Sequence, residues 1–225
     1  MKRNSITDIP TQDRLMHHKE CIAYHEAGHA AAIYLNNKTR NLPPVYFQIV
    51  FEELNGDKDN NVIIYEAAHD DNIARVEGGR LIQSLPCSIE SLTHKLIDNN
   101  EAMMPLVRDY LTAFETDIIN LLVGPLAEAK HVYNRDDELF NHKLVNLGAL
   151  KNYGGGSDLA LVREYLESFS ESRQLQDEKL NELFIDAFAF INDCANWKSI
   201  MKLANYILKS DKKIISCEEV VSVLE

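Results

Sequence analysis

Three residues near the start of the chain have the types and the spacing that could hold a metal ion and support hydrolysis. They are His25, Glu26 and His29, in the segment "YHEAGHAAAIYL" that covers residues 24–35. The alanines and the apolar tail of this segment predict a helix, in which glycine costs about 1 kcal/mol relative to alanine. Positions i and i+4 of a helix share one face, so both imidazoles can reach the same ion.

The spacing of this group matches the chemistry of a hydrolytic zinc site. Zn²⁺ accepts neutral imidazole nitrogens at about 2.0–2.1 Å in a tetrahedral shell. Glu26 is adjacent to His25 rather than stacked on the histidine pair, so its carboxylate can lie beside the metal and meet a bound water molecule. HExxH is the metallopeptidase pattern for these reasons. Gly28 fits the same interpretation, because a missing side chain lets another segment approach the helix closely.

A catalytic zinc ion needs a third protein ligand and one open position for water. Two acidic residues are candidates. Asp158 follows "GGGS" and opens a predicted helix, whereas Glu128 lies on an earlier predicted helix in "GPLAEAKH". Each also has an ordinary structural interpretation, Asp158 as a residue that stabilises a helix N-terminus and Glu128 as part of a solvated helix face. Spacing alone leaves both candidates open.

The composition is that of a globular protein with an acidic surface. The chain has 225 residues, 45% of them apolar and 26% charged, with a formal net charge of −12. Because nucleic-acid binding needs a basic face, we expect no nucleic-acid partner. The chain shows no secretory signal and no apolar run long enough to be an integral membrane segment. The four cysteines form no CxxC pair, which predicts reduced core thiols in a cytoplasmic protein.

The periodicity of the sequence predicts a mainly α-helical protein with one β-hairpin. Two segments rich in aromatic and β-branched residues, 45–51 and 62–65, predict the strands of this hairpin. Gly124-Pro125 predicts a kink or break in the helix that contains it. Ser216 and Glu219 form a capping box that predicts a short terminal helix. The other helices are predicted at 15–35, 105–134, 158–169, 175–194 and 197–209.

This pattern of elements predicts a single domain over residues 1–225. Within it we expect a polar leader at 1–13 and a zinc-site region at 14–170. An insertion is expected inside the zinc-site region, at 52–104, and residues 66–104 could form a flap. The remaining residues, 171–225, form a C-terminal helical region.

Four segments, in the same order, resemble the peptidase domain of the FtsH family, the ATP-dependent zinc metalloproteases of membranes. "AYHEAGHAAAIYL" is similar to the zinc helix of that family, and "INLLVGPLAEAKHVYN" resembles its second helix. "GGGSDLALVREY" resembles its third motif, and "ANYILKSDKKIISCEEVVSVL" is similar to its closing pattern.

The resemblance implies a helical, zincin-like FtsH-type peptidase fold with a small hairpin or sheet inserted after the zinc-binding helix. It implies His25, His29 and Asp158 as zinc ligands and Glu26 as the catalytic base. Glu128 would lie beside the site and orient a zinc-bound histidine. The sequence has no GxxxxGK[ST] loop. We therefore expect a stand-alone relative without the ATPase module and membrane anchor of the family.

These observations predict an ATP-independent zinc metalloendopeptidase that hydrolyses peptide bonds in peptides or unfolded proteins. Zn²⁺ would activate a water molecule, and Glu26 would act as the general base. The sequence also allows a peptidase-like binding or regulatory module that keeps zinc but cleaves nothing or only one partner. A third alternative is a scaffold with a vestigial site. The expected partner is a peptide or protein substrate, and a homo-oligomer is compatible with this interpretation.

Two further expectations concern catalysis and substrate binding. Tyr24 and His131 are among the side chains that could assist the reaction, although the sequence does not select one. Glu128 and His131 also form an ExxH pair, which would suggest a di-iron site if a second such helix were present. An extended substrate could add to the edge of the predicted 45–51/62–65 hairpin through main-chain hydrogen bonds.

Overall fold

A computed structural model describes residues 11–51, 73–86, 88–89 and 103–225 of the chain. These residues form a mainly helical protein with a small antiparallel sheet, as the sequence predicts. Ten elements follow one another in these ranges: α1 (Thr11–Thr39), β1 (Phe47–Phe51), β2 (Ala74–Gly78), α2 (Met104–Arg135), a 3₁₀ helix (Ala149–Asn152), α3 (Gly156–Phe169), α4 (Arg173–Asn192), α5 (Cys194–Lys209), β3 (Ile214–Ser216) and α6 (Cys217–Leu224).

The sheet differs from the predicted hairpin in the partners of its first strand. The strand predicted at 45–51 is present as β1, but β1 is the central strand, with β2 on one side and β3 on the other. Ile49 lies opposite Val76 of β2 and Ile215 of β3. The strand predicted at 62–65 lies outside the described residues, as does most of the insertion expected at 52–104. In the described part of the chain β1 pairs with β2 and β3, and the predicted pairing of 62–65 concerns residues outside that part.

The helix that carries the histidines packs closely against α2. Its alanines at positions 23, 27, 30 and 31 are almost fully buried. A Cβ atom added to Gly28 would lie 2.7 Å from the Cβ of Ala127 and 3.0 Å from the carbonyl oxygen of Val123. Such distances leave no room for a side chain, so the predicted reason for this glycine is confirmed. The small residues let the two helix axes approach, which brings the next turns of both helices together.

The long helix α2 runs continuously through Gly124-Pro125, so of the predicted kink or break, the break does not occur. Proline removes one hydrogen bond of the helix and disturbs the preceding turn, at a cost of about 3 kcal/mol. Burial on both sides of the proline offsets this cost, since each buried large apolar side chain contributes about 1.5–3 kcal/mol. Phe114, Ile118, Leu122 and Leu126 are fully buried along one face of the helix.

The C-terminal helices lie close to their predicted positions, and the capping box of Ser216 and Glu219 is present at the start of α6. At the other end, α1 begins at Thr11, inside the polar leader predicted at 1–13, and residues 1–10 lie outside the described ranges. Cys21 is buried, whereas Cys194 is exposed, so the prediction of core thiols does not hold for Cys194. Among the described helices, none is long and apolar enough to cross a lipid bilayer.

Candidate metal centre

Three helices bring the predicted site residues together. His25, Glu26 and His29 lie on one turn of α1, and Asp158 lies in the first turn of α3. Glu128 comes from the second half of α2, which packs along α1. All five side chains are buried. Glu128 and Asp158 are 103 and 133 residues away from His25, so only the packing of the three helices can bring them to the group on α1.

The two histidines and the aspartate converge on one point. The Nε2 atom of His25 lies 3.1 Å from the Nε2 atom of His29 and 3.2 Å from Oδ2 of Asp158. The Nε2 atom of His29 lies 3.3 Å from Oδ1 of Asp158. One atom from each of these residues therefore lies within 4.8 Å of the other two, which is the arrangement of a three-ligand metal site.

The remaining ring nitrogens are held by acceptors on α2. The Nδ1 atom of His25 lies 3.1 Å from Oε2 of Glu128. The Nδ1 atom of His29 lies 2.9 Å from the backbone carbonyl oxygen of Asn120. A carboxylate and a carbonyl can only accept hydrogen bonds, so both Nδ1 atoms carry the proton. Each neutral ring then directs the lone pair of Nε2 towards Asp158, as metal-binding histidines do.

This arrangement favours a cation at the centre of the cluster. Two neutral Nε2 atoms that face each other at 3.1 Å have no hydrogen to share, and both also face a carboxylate. A proton on one ring or a metal ion between the ligands resolves this conflict. The donor set of two imidazoles and one carboxylate, with both outer ring nitrogens hydrogen-bonded, fits a divalent metal ion.

The pKa values of the cluster show how strongly it favours positive charge. Burial lowers the pKa of His25, but hydrogen bonds to Asp158 and Glu128 outweigh it and raise the pKa well above 6.5. His29 shows the same balance, again because of Asp158. For Asp158, burial raises the pKa, but the two histidines outweigh it and hold the pKa below the usual range. A bound cation would take the place of the protons that these histidines otherwise hold.

Glu26 does not take part in the ligand cluster. Burial raises its pKa, and the backbone N–H of Val76 in β2 donates a hydrogen bond to its carboxylate. Its Oε2 atom is buried and has no hydrogen-bond partner among the described residues. Both Glu26 and the three candidate ligands line an open cavity of about 600 Å³. One carboxylate oxygen is therefore held by the sheet while the other remains available beside the cluster.

The wall of the cavity opposite α1 is formed partly by β2. Ala74, Val76 and Gly78 of this strand line the cavity, together with Arg80 just beyond it. Asp117 on α2 holds the segment after the strand in place. Its carboxylate accepts hydrogen bonds at 2.9 Å from the backbone N–H groups of Leu81 and Ile82. The cavity thus runs between a helix that carries the candidate ligands and a strand anchored to α2.

Two other predicted participants do not face this cavity. The rings of Tyr24 and His131 stack at a centroid distance of 3.9 Å. His131 also lies 3.6 Å from Oε2 of Glu20, and neither ring is among the described residues that line the cavity. The expectation that Tyr24 or His131 assists at the site is therefore not supported. Glu128 contacts His25, whereas His131 contacts Glu20, so the two residues of the ExxH pair do not face one common metal position.

Two contributors to the site have no signal in their residue types. The carbonyl of Asn120 positions His29, but any residue at that place has a carbonyl. Gly124 contacts the ring of His29 so closely that an added Cβ would lie 2.2 Å from Nε2. In the sequence, Gly124 next to Pro125 predicts a kink or break in the helix, and this interpretation hid its role in packing against His29.

No family model, no curated protein and no solved structure matches this chain.

Proposed function

We propose that this protein is an ATP-independent zinc metallopeptidase, related in its site to the FtsH-type peptidase domain. The observation that carries the proposal is the convergence of His25, His29 and Asp158 beside the unpartnered carboxylate oxygen of Glu26. A module that only binds a metal has no use for this carboxylate. The expected substrates are peptides and unfolded proteins, and the expected compartment is the cytoplasm.

The spacing of the three ligands supports zinc as the metal. In a tetrahedral shell with Zn–N and Zn–O distances of about 2.0–2.1 Å, neighbouring ligand atoms are about 3.3 Å apart. The two Nε2 atoms are 3.1 Å apart, close to this value, and each lies 3.2–3.3 Å from one of the two carboxylate oxygens of Asp158. When bound there, Zn²⁺ would supply Lewis acidity, which lowers the pKa of water to about 7 and polarises a carbonyl group.

The chain's own residues would move the proton in this reaction. Oε2 of Glu26 has no hydrogen-bond partner in the described part of the chain and could accept the proton of a water molecule in the cavity. The hydrogen bond from Val76 fixes the carboxylate in this position. As the peptide bond breaks, the protonated Glu26 would pass the proton to the leaving amine. In this scheme the Nδ1–H groups of His25 and His29 donate to Glu128 and to the carbonyl of Asn120, which keeps both Nε2 atoms directed at the metal position.

An extended substrate could bind along β2. In the described part of the chain, β2 is an outer strand of the sheet, and it lines the cavity. The backbone N–H of Val76 points away from β1 towards Glu26, so the even-numbered positions of β2 present their main chain to the cavity. A peptide that paired with Ala74 and Gly78 would place a bond next to Glu26. Main-chain pairing of this kind gives broad sequence tolerance.

Two variants test the proposal together. We expect about one zinc ion per chain in the parent and in Glu26→Gln, and a clear loss of zinc in Asp158→Ala. With a fluorescently labelled unfolded protein as substrate, Glu26→Gln should lose about 10²–10⁴-fold in rate. Glu164→Gln removes the same charge from an exposed residue that lines the same cavity, and it should keep both zinc and activity. Addition of ATP should leave the rate of the parent unchanged.

Each outcome of this experiment has a definite meaning. If Glu26→Gln cleaves as fast as the parent, the assignment of Glu26 as the base is wrong. If the parent binds zinc but cleaves no unfolded protein or peptide, the result favours the binding or regulatory module. If Asp158→Ala retains its zinc, Asp158 is not a ligand, and the family resemblance fails at that residue.

A further inference from the structure

Three consecutive glycines at the start of α3 have different surroundings: Gly154 and Gly155 precede the helix, and Gly156 is its first residue. Gly154 has a φ of +68°, which side chains rarely adopt. A Cβ atom added to Gly154 would lie 3.0 Å from Nδ1 of His25 and 3.2 Å from Oε2 of Glu128. An atom added to Gly156 would meet nothing within 4 Å. Only the first of these two glycines therefore touches the metal cluster.

The two atoms nearest to Gly154 are the donor and the acceptor of one hydrogen bond. Nδ1 of His25 and Oε2 of Glu128 are 3.1 Å apart, and both residues are buried. The place that a Cβ atom would take at Gly154 thus lies against this bond, and the glycine leaves both partners undisturbed. A hydrogen bond to a carboxylate is stronger in a water-free environment. The same bond sets which nitrogen of His25 carries the proton, and so which one faces the metal.

The loop that covers this bond also presents Asp158. The N–H of Gly155 donates to the carbonyl of Leu150 at 3.1 Å, and the N–H of Leu159 donates to the carbonyl of Gly155 at the same distance. A Cβ atom on Gly155 would lie 2.9 Å from Cβ of Pro125. The loop is therefore packed between the 3₁₀ helix, α2 and the first turn of α3. A shift at Gly154 would move both the His25–Glu128 pair and the backbone that leads to Asp158.

We propose that Gly154 is a positioning residue, which seals the hydrogen bond between His25 and Glu128 and thereby sets the affinity of the site for metal. This inference rests on the proposed metal site. The glycine run acts here as a packing surface rather than as a flexible linker. A side chain at this position would have to push the imidazole of His25 or the carboxylate of Glu128 away by a few tenths of an ångström.

The test compares Gly154→Ala with Gly156→Ala, which adds the same methyl group two residues further along, at the first residue of α3. Zinc affinity is measured by competition with a coloured chelator. We expect Gly154→Ala to bind zinc at least about tenfold more weakly than the parent. Tenfold is the lower end of the loss in metal affinity that follows removal of a hydrogen-bond partner of a metal-bound histidine. Gly156→Ala should bind as the parent does. Equal affinities of Gly154→Ala and the parent would overturn the proposal.

A third variant separates contact with His25 from backbone strain. Asparagine tolerates a positive φ better than alanine, yet it carries a Cβ atom. If the contact with the His25–Glu128 pair matters, Gly154→Asn should be as weak as Gly154→Ala. Recovery of the parent's affinity in Gly154→Asn would show that strain alone was responsible, and would contradict the proposed role.

A readout that needs no metal keeps this inference separate from the proposed function. In the metal-free protein, NMR can follow the exchange of the His25 Nδ1 proton with solvent. Gly154→Ala should exchange this proton faster than both the parent and Gly156→Ala, whereas a merely less stable fold would speed exchange throughout the core. If the parent binds no zinc, the proposed function fails, and the exchange rates still decide whether Gly154 seals the bond. Unchanged exchange in Gly154→Ala would refute the sealing role.

Discussion

At the scale of single residues, the site depends on groups behind the candidate ligands as much as on the ligands themselves. His25 and His29 share one helix face, but this does not determine which ring nitrogen points into the cavity. Glu128 and the carbonyl of Asn120 determine it, because each accepts a hydrogen bond from an Nδ1–H group. The carboxylate of Glu128 also makes His25 a more basic ligand.

Replacement of Glu128 by glutamine should therefore weaken the site without removing a ligand. We expect zinc affinity to fall by about 10–100-fold, as for other partners of metal-bound histidines. Glu20→Gln is the matched control, because Glu20 lies 3.6 Å from His131 in a second carboxylate–histidine pair outside the cavity. Competition titrations of both variants measure the effect. A similar loss in the two variants would mean that only the net charge of the protein matters.

At the scale of secondary-structure elements, Asp117 joins three parts of the fold that enclose the cavity. It lies on α2, accepts hydrogen bonds from the segment after β2, and accepts another at 3.0 Å from the hydroxyl of Tyr165 on α3. Burial raises the pKa of Asp117, although these hydrogen bonds favour the charged carboxylate. The wall formed by β2 thus depends on one buried side chain of a helix.

Asp117→Asn should destabilise this wall, because an amide cannot accept all three hydrogen bonds. We expect the free energy of unfolding to fall by about 1–3 kcal/mol, the cost of leaving a buried donor without its acceptor. Asp109→Asn makes the same change at an exposed position of the same helix and should stay within about 0.5 kcal/mol of the parent. Urea unfolding of the metal-free proteins measures both. An equally small effect of Asp117→Asn would show that the anchor is dispensable.

The sequence predicted those parts of the fold that depend on local spacing. The i and i+4 spacing of His25 and His29 indicates a shared helix face, and the capping box at Ser216 is a local signal that is present in the structure. By contrast, β3 has only three residues, too few to show a strand period. Its pairing with β1 depends on contacts with residues far away in the chain.

The third candidate ligand shows the same limit for the site. From residue types alone, Asp158 and Glu128 were equal candidates, and only the family resemblance favoured Asp158. In the structure, the carboxylate of Asp158 lies at Nε2 of His25, whereas the carboxylate of Glu128 lies at Nδ1 of the same ring. The two carboxylates are thus separated by the width of one imidazole. Such a difference follows from the packing of α2 and α3 on α1, which no spacing in the sequence encodes. The sealing contact of Gly154 is missed for the same reason.

At the scale of the whole molecule, most of the hydrophobic core lies outside the metal cluster. The buried apolar residues of the described ranges form one connected cluster that extends from α1 to α6. The chain therefore differs from small zinc domains, in which the metal replaces a core. Metal binding should add to the stability of a protein that is already folded.

Removal of zinc should lower the unfolding temperature but leave the helices intact. At free zinc of 100 times the dissociation constant, binding contributes about 2.7 kcal/mol. For a chain of this size, each kcal/mol corresponds to about 2–4 °C. Far-ultraviolet circular dichroism should show the same helix content with and without chelator at 20 °C. Asp158→Ala should show no zinc-dependent shift, and loss of helix signal in chelator would contradict this expectation.

The gap in stability between the zinc-bound and metal-free forms should widen as the pH rises. In the metal-free protein the pKa of His25 is raised well above 6.5, chiefly by Asp158 and Glu128 against the opposing effect of burial. The protonated ring therefore contributes stability fully below pH 6.5, and this contribution is lost as the pH rises through the raised pKa. Zinc competes better for the same nitrogen over that range. Unfolding temperatures at pH 6, 7 and 8 measure the gap, and a constant gap would contradict the coupling.

The separation of the site residues along the chain has a consequence for how fast the protein folds. His25 and Asp158 are 133 residues apart, and the end of α1 contacts the end of the chain through Tyr34 and Glu225, 191 residues apart. Such distant pairs must close large loops before they gain any stabilisation. Proteins rich in them fold more slowly than helical bundles with local contacts. We expect α1 to become stable only when α2 and α3 pack against its apolar face, so that the site forms late on the folding pathway.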